Sequence, residues 1–187
     1  MTKMVWLALL CYHPAPFADT SSEDSYALYS SIYRDSQSLE ADEIIGIAAK
    51  PLAIRLYEGC VKPVTAEERE MVEAARAASN VQTEWEARFD LGRPYRLIPS
   101  TETDKAIDCV QDMRMKKGPS GCEAYVKMRY IRFFSVPVFN RDHTRALIAI
   151  SRSCGGLCGN GGLLVYRKTR AGWEREPDSF ATCAWEA

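Results

Sequence analysis

The feature that most constrains the fold of this 187-residue chain is the arrangement of its seven cysteines. Cys11 lies in an apolar stretch near the start, and the others are spread over the rest of the chain. An even number of cysteines in an exported domain is typical of a disulfide framework. Sequence alone leaves the connectivity open, although proximity along the chain favours two short links. The pairing that proximity favours is Cys109 with Cys122, Cys154 with Cys158 and, for the remaining two, Cys60 with Cys183.

Residues 1–18 have the layout of a secretory signal peptide. Lys3 precedes an apolar run at residues 4–12, and a stretch rich in proline and small residues then leads to a cleavage point after Ala18. The run is much shorter than the roughly 20 apolar residues that a membrane-spanning helix needs. We therefore expect a signal peptide at 1–18, a single α+β domain at 19–187 and a periplasmic or secreted location without a transmembrane anchor. A buried N-terminal strand is the alternative interpretation of this segment.

The charge composition argues against partners that are recognised by long-range electrostatic attraction. Lysine and arginine number 24 and aspartate and glutamate 25, so the formal net charge is −1. Such a balance creates no overall field that favours nucleic acid or an anionic membrane. Apolar residues make up 47% of the chain and charged residues 26%, which is the composition of an ordered globular protein. A nucleic-acid partner is therefore not expected.

Helical patterns dominate the first half of the chain. A helix that begins after Ser22 carries Tyr26, Tyr29 and Tyr33 at helical spacing. We expect this aromatic stripe in the core, because a docked helix buries one apolar face. Residues 65–68 predict a capping box at the start of a helix that runs to residue 78. Further helical turns are predicted at 81–89 and from 101 onward, and short strands at 43–49 and 95–98.

From residue 130 onward the pattern changes to short β-rich runs divided by turn residues, which predicts an antiparallel meander. The predicted strands cover residues 130–139, 146–151, 163–168, 173–175 and 180–185. Pro137 places the first of them at an edge or at a bulge. Helices first and strands afterwards indicate an α+β fold, with the N-terminal helices packed on one face of a C-terminal antiparallel β meander.

Four segments occur in this order along the chain: YALYSSIY, EIIGIA, RPYRLIPS and a long C-terminal stretch that contains FNRDH and CGGLCGNGG. Together they resemble an uncharacterised family of small secreted bacterial proteins. The specific part is the C-terminal pattern, in which FN-x-D, a following AL, CGGLCG-x-G and a tryptophan occur in that order. The resemblance implies a shared fold and an export route. It implies no catalytic residue, because no activity is assigned to the group.

The glycine-rich loop around the two closely spaced cysteines is the candidate binding element. Its residues are Cys154, Gly155, Gly156, Leu157, Cys158, Gly159 and Asn160. A zinc site would need two more thiolate or imidazole ligands, thioredoxin-type chemistry uses a two-residue spacer, and a phosphate loop would need a helix after it. We therefore favour a structural role, in which glycines allow a tight crossing between strands and a local disulfide clamps it. No metal or cofactor is expected.

His143 is the only histidine that remains after cleavage of the leader, so any Ser-His or Cys-His scheme must use it. It lies in a predicted hairpin turn, where a histidine is ordinarily exposed and without a partner. Carboxylate pairs also occur, Glu40 with Asp42 and Glu84 with Glu86, but spacing alone does not place them in a cleft. We interpret the basic residues of the meander as solvated strand edges. These are Arg145, Arg152, Arg167, Lys168 and Arg170.

These patterns favour an exported, disulfide-stabilised binding or interaction module that recognises an unknown protein or small molecule in the cell envelope. No residue is assigned to catalysis. The alternative is a small periplasmic hydrolase that uses carboxylates or His143. A cleft that gathers His143 or paired acids would favour the hydrolase, and a flat, rigid face of the sheet would favour binding.

Overall fold

The computed structural model describes residues 22–34, 42–78, 83–118 and 120–186. The predicted signal peptide at 1–18 and Glu40 lie outside these ranges. The helices of the described residues are α1 (Glu23–Arg34), α2 (Ala66–Ala77) and α3 (Thr103–Arg114), with 3₁₀ turns at Ser100–Glu102 and Glu123–Tyr125. The strands are β1 (Ile45–Ala48), β2 (Tyr95–Ile98), β3 (Ile131–Phe134), β4 (Val138–Phe139), β5 (Arg145–Ser153), β6 (Gly159–Thr169), β7 (Gly172–Arg175) and β8 (Ala184–Glu186). Within the described ranges, no helix is long and apolar enough to cross a bilayer.

These strands form one mixed sheet in the order β2-β1-β3-β5-β6-β7, with β4 paired to β5 and β8 paired to β6. The α+β class is therefore correct, and β5, β6 and β7 form the antiparallel meander expected of the C-terminal half. The sheet is larger than that meander, because β1 pairs in parallel with both β2 and β3. Parallel neighbours need a crossover connection, and α2 lies in the connection from β1 to β2.

The helices lie on both faces of the sheet, so the prediction that they pack on one face is wrong. On β5, Ala146 and Ile148 belong to the core under α1, whereas Leu147 and Ala149 belong to the core under α2. The core under α3 includes Ile131 and lies on the same side of the sheet as α2. Strands that are covered on both faces read as continuous apolar runs, which is why β5 shows little alternation in the sequence.

The aromatic stripe of α1 lies in the core, as predicted. Tyr26 and Tyr29 are buried, and the ring of Tyr29 stacks on Phe134 with centroids 4.4 Å apart. The hydroxyl of Tyr29 donates a hydrogen bond to the carbonyl of Ser135 over 2.7 Å. Burial raises the pKa of this phenol well above its ordinary value, so the group stays protonated. The stripe fixes α1 to the sheet.

The segment 83–90 is not helical, contrary to the helical turns predicted at 81–89. Its backbone instead lets Trp85 and Phe89 enter the core under α1. The amide of Trp85 donates to the carbonyl of Ala49 over 2.7 Å, and its indole donates to the carbonyl of Phe134 over 3.3 Å. Tertiary packing of two aromatic side chains thus overrides the local helical pattern.

The strand predicted at 130–139 is divided into β3 and β4 around Pro137. The pairing of Phe134 with Ile150 and of Val138 with Leu147 shows that this strand carries one residue more than β5 between the two positions. This is a β-bulge, one of the two locations that the proline predicts. The strand is not at the edge, since β3 lies between β1 and β5.

The six cysteines of the described residues form three disulfides: Cys60 with Cys183, Cys109 with Cys122, and Cys154 with Cys158. This is the pairing that proximity along the chain favours. The Cys60–Cys183 link joins residues 123 apart and holds the segment before α2 against the C-terminal strand. The other two links close short loops at one end of the sheet, beside α3.

Candidate functional site

A cavity of about 740 Å³ opens on the face of the sheet that carries α2 and α3. Its floor is formed by Phe133, Ala149 and Leu163, which come from the neighbouring strands β3, β5 and β6. Ala149 and Leu163 belong to the core under α2, whereas Phe133 packs against the core under α3. The cavity therefore lies where the two helices leave the sheet uncovered between them.

The loop between β1 and α2 forms the outer wall of the cavity. Pro51, Leu52 and Ala53 line it, and the amide of Leu52 donates to the carbonyl of Phe134 over 2.8 Å. At the other end of the loop, Val61 forms an antiparallel bridge with Ala181, next to the Cys60–Cys183 disulfide. Because the loop is anchored at both ends, the cavity is formed without a ligand.

Trp185 closes one side of the cavity from the edge strand β8. It lies directly opposite Gly161 of β6 in the antiparallel pair. A β-carbon at Gly161 would overlap the indole ring of Trp185 and would lie 2.7 Å from the carbonyl oxygen of Ile150. Glycine is thus required at this position for the indole to lie flat across the strand. Trp185 remains 39% exposed, which leaves its ring available to a ligand.

The rim of the cavity is positively charged. Lys50 and Arg55 line it together with the hydroxyl-bearing residues Ser100 and Thr103, and the described lining residues include no aspartate, glutamate or histidine. Lys50 and Arg55 are exposed, and neither forms an ion pair with a described residue. An apolar floor with unneutralised cations at its mouth fits a molecule that has an apolar body and an anionic end.

The glycine-rich loop is shorter than predicted, because Gly159 and Asn160 are already part of β6. Cys154 is buried, whereas Leu157 at the tip is 91% exposed. The amide of Cys154 donates to the carbonyl of Cys158 over 2.9 Å, and Gly155 has a φ of +84° and lies against Gln111 of α3. These contacts make the loop a clamped turn beside α3, separate from the cavity lining.

His143 has a partner, which corrects the expectation that it has none. Its Nδ1 lies 2.6 Å from Oδ2 of Asp24 in α1, and its ring stacks on Phe139 with centroids 4.9 Å apart. The hydrogen bond with His143, assisted by Lys168 at 3.5 Å, holds the pKa of the Asp24 carboxyl below its ordinary value. The pair lies on the α1 face, opposite the cavity. Among the described residues, the contacts of His143 include no serine hydroxyl or cysteine thiol. The hydrolase alternative stays a hypothesis.

The carboxylate pair Glu84 and Glu86 and the basic residues of the meander do not form a common site in the structure. Glu84 accepts a hydrogen bond from the amide of Ser100 over 3.3 Å, and Glu86 lies 3.7 Å from Arg88. Arg167 pairs with Glu174 at 3.6 Å. Among the described residues, no group of three or more histidine, cysteine, aspartate or glutamate side chains is arranged to hold a metal ion. Arg145 lies 3.3 Å from Glu68 of α2 and Lys168 lies 3.5 Å from Asp24 of α1, so the basic residues of the meander divide between the two faces of the sheet.

Sequence patterns did not reveal the cavity, since its lining comes from segments that are far apart in the chain. Lys50 and Pro51 appeared only as the end of a predicted strand, and Trp185 only as part of another. The one local signal is the Gly161–Gly162 pair, because glycines inside a strand mark a close approach of other atoms. No family model, no curated protein and no solved structure matches this chain significantly.

Proposed function

We propose that this protein is an exported binding module that holds a small anionic amphiphile in the cavity between α2 and α3. The observation that carries this proposal is the apolar cavity of about 740 Å³ with an unneutralised cationic rim. Ligand sites commonly have volumes of roughly 300 to 1,000 Å³ and apolar walls with a few polar groups that orient the ligand. The cavity has these properties.

The lining favours an amphiphile over a wholly polar ligand. Phe133, Leu163 and Trp185 offer apolar and aromatic surface. Removal of this surface from water by an apolar ligand stabilises the complex by about 25 cal/mol for each Å² buried. Lys50 and Arg55 at the mouth would face the ligand's charged end. A carboxylate or phosphate there gains attraction at little desolvation cost, because the cations are exposed.

The disulfides and the leader-like N-terminus support a location outside the cytoplasm. Three disulfides are typical of proteins that fold in an oxidising compartment. One of them, Cys60–Cys183, lines the cavity and braces its wall. We therefore place the binding module in the periplasm or the extracellular medium, with a mature chain that begins near Asp19.

Titration with three probes of equal chain length tests the proposal. Laurate carries an anionic head, dodecanol a neutral one and dodecyltrimethylammonium a cationic one. We expect laurate to bind most tightly below its micellar concentration, with a change in tryptophan fluorescence that the substitution Trp185→Phe removes. The double variant Lys50→Gln/Arg55→Gln should weaken laurate by roughly 10-fold, about 1.4 kcal/mol, and leave dodecanol nearly unchanged.

A matched control removes two exposed basic side chains that do not line the cavity. Lys127→Gln/Arg170→Gln has the same net charge as the rim variant and should bind laurate like the parent protein. Ala53→Trp, at an exposed position of the wall, should block all three probes by filling the cavity. Equal loss in both charge variants, or laurate binding that survives Ala53→Trp, would exclude the cavity as the binding site.

A further inference from the structure

A second pocket, of about 350 Å³, lies on the α1 face of the sheet and is lined by three arginines. Arg132 of β3, Arg152 of β5 and Arg175 of β7 come from different strands. Arg132 and Arg152 are directly opposite each other in the antiparallel pair, so their side chains lie on the same face. Like charges in this arrangement disfavour the folded state unless an opposite charge lies between them.

Arg132, which lines this pocket, has one buried polar atom without a hydrogen-bond partner. The Arg132 side chain is 5% exposed, and its Nη2 lies 3.4 Å from Oε1 of the equally buried Glu43. Its Nη1 has no hydrogen-bond partner and is the one such buried side-chain atom recorded for the described residues. A buried charged donor without an acceptor costs free energy, and an acceptor that reaches it from the pocket would remove that cost.

The charges around this atom favour an anion as the acceptor. The Nε of Arg152 donates to Oδ1 of Asn160 over 2.9 Å, which leaves the amide NH₂ of Asn160 as a further donor. Neither Arg152 nor Arg175 forms an ion pair with a carboxylate of the described residues. Glu186 also lines the pocket, and with Glu43 it offsets two of the three arginine charges. The pocket remains net positive.

We propose that this pocket binds a compact oxyanion, a phosphate or carboxylate group, with Nη1 of Arg132 as the innermost donor. Arg152 and Arg175 supply the outer charge, and the planar guanidinium fork matches the paired oxygens of such groups. Ile150, Leu164 and Trp185 provide apolar sides that lower the local dielectric constant and strengthen the attraction. Ala184 and Trp185 line both pockets, but the three arginines lie on the opposite face of the sheet from the floor of the amphiphile cavity, so substituting them tests this proposal separately from the proposed function.

Titration of the full chain with inorganic phosphate, and separately with acetate, at constant ionic strength tests the proposal. Backbone amide resonances followed by NMR should shift saturably in β3, in β5 and at the N-terminal end of β6. Tighter binding of phosphate identifies a phosphoryl group as the natural ligand chemistry, and equal or tighter binding of acetate identifies a carboxylate. Absence of a saturable shift with both anions would overturn the proposal.

Substitutions then separate the site from general surface charge. Arg152→Gln and Arg175→Gln should each weaken binding by about 5-fold, whereas Arg170→Gln, outside the pocket, should have no effect. Glu43→Gln removes the carboxylate that neutralises Arg132 and should tighten binding by a few-fold. The double variant Glu43→Gln/Arg132→Gln keeps a neutral buried pair in place of the ionic one and should abolish binding. Equal affinity in the parent, Glu43→Gln and the double variant would show that Arg132 takes no part.

Discussion

At the scale of single residues, Arg145 is the main electrostatic link between distant parts of the chain. Its guanidinium lies 2.8 Å from Glu176, 3.1 Å from Glu67 and 3.3 Å from Glu68. Arg145 is therefore not the solvated strand-edge residue that the sequence pattern predicts. It is 22% exposed and joins α2 to β5 and to the segment after β7. Its three partners come from positions that no local pattern connects with it.

Replacing Arg145 by methionine should destabilise the protein, because three carboxylates then lose their shared cation. Burial raises the pKa of Glu68, but hydrogen bonds from the amides of Thr65 and Val64 and from Arg145 outweigh it and hold that pKa below its ordinary value. A lowered pKa contributes stability above the pKa of the unfolded chain and loses it as pH falls. We therefore expect a loss of about 3 kcal/mol in the free energy of unfolding at pH 7 that shrinks below about pH 4.

Urea unfolding at a series of pH values measures this effect. The exposed residue Arg170 provides the control, since Arg170→Gln removes a charge without breaking a described ion pair and should change stability by less than about 0.5 kcal/mol. A loss for Arg145→Met that stays constant from pH 7 to pH 3 would mean that the cation–π contact of the guanidinium with the Phe180 ring, 5.5 Å from its centroid, carries the contribution instead.

At the scale of secondary-structure elements, α2 shows where local sequence is sufficient. The amide of Glu68 donates to Oγ1 of Thr65 over 3.1 Å, and the amide of Thr65 donates back to Oε2 of Glu68 over 3.0 Å. This is the capping box predicted from residues 65–68. The helix start was predictable because both partners lie within one turn of each other. Which helix covers which face of the sheet was not predictable, because this depends on contacts between residues that are far apart in the sequence.

Thr65→Ala should lower the free energy of unfolding by about 1 kcal/mol, since it removes the acceptor of one helix N-terminal amide. Thr182→Ala serves as the matched control, because Thr182 is exposed and no side-chain hydrogen bond is described for it. Chemical denaturation followed by circular dichroism compares the two. If both variants lose the same stability, the capping box does not contribute measurably.

At the scale of the whole molecule, the disulfides differ greatly in the length of chain that they close. Cys60 and Cys183 are 123 residues apart, whereas Cys154 and Cys158 are 4 apart. A longer closed loop restricts the unfolded chain more strongly. The long link also lines the cavity and anchors its wall, so it connects stability with the proposed binding site.

Replacing each pair of cysteines by serine should therefore show which of the two disulfides contributes more to the free energy of unfolding. We expect Cys60→Ser/Cys183→Ser to lower the free energy of unfolding by about 5 kcal/mol and Cys154→Ser/Cys158→Ser by about 2 kcal/mol. Laurate binding should fall in the first variant and persist in the second, because the short loop does not line the cavity. Calorimetric melting with and without laurate measures both effects. The reverse ranking would contradict the dependence of stability on the length of the closed loop. Loss of laurate binding only in the short-loop variant would make residues 154–158 the more important element for function.

The sequence by itself determined the features that depend on neighbours along the chain. These include the α+β class, the capping box of α2, strands β1 and β2, the core position of Tyr26 and Tyr29, and the interruption at Pro137. Each rests on hydrogen bonds or on apolar periodicity within a few residues. The tertiary structure alone decided the parallel pairing of β1, the helices on both faces and the pairing of His143 with Asp24, which are 119 residues apart. Both candidate binding sites belong to this second group, because their lining residues meet only when the sheet forms.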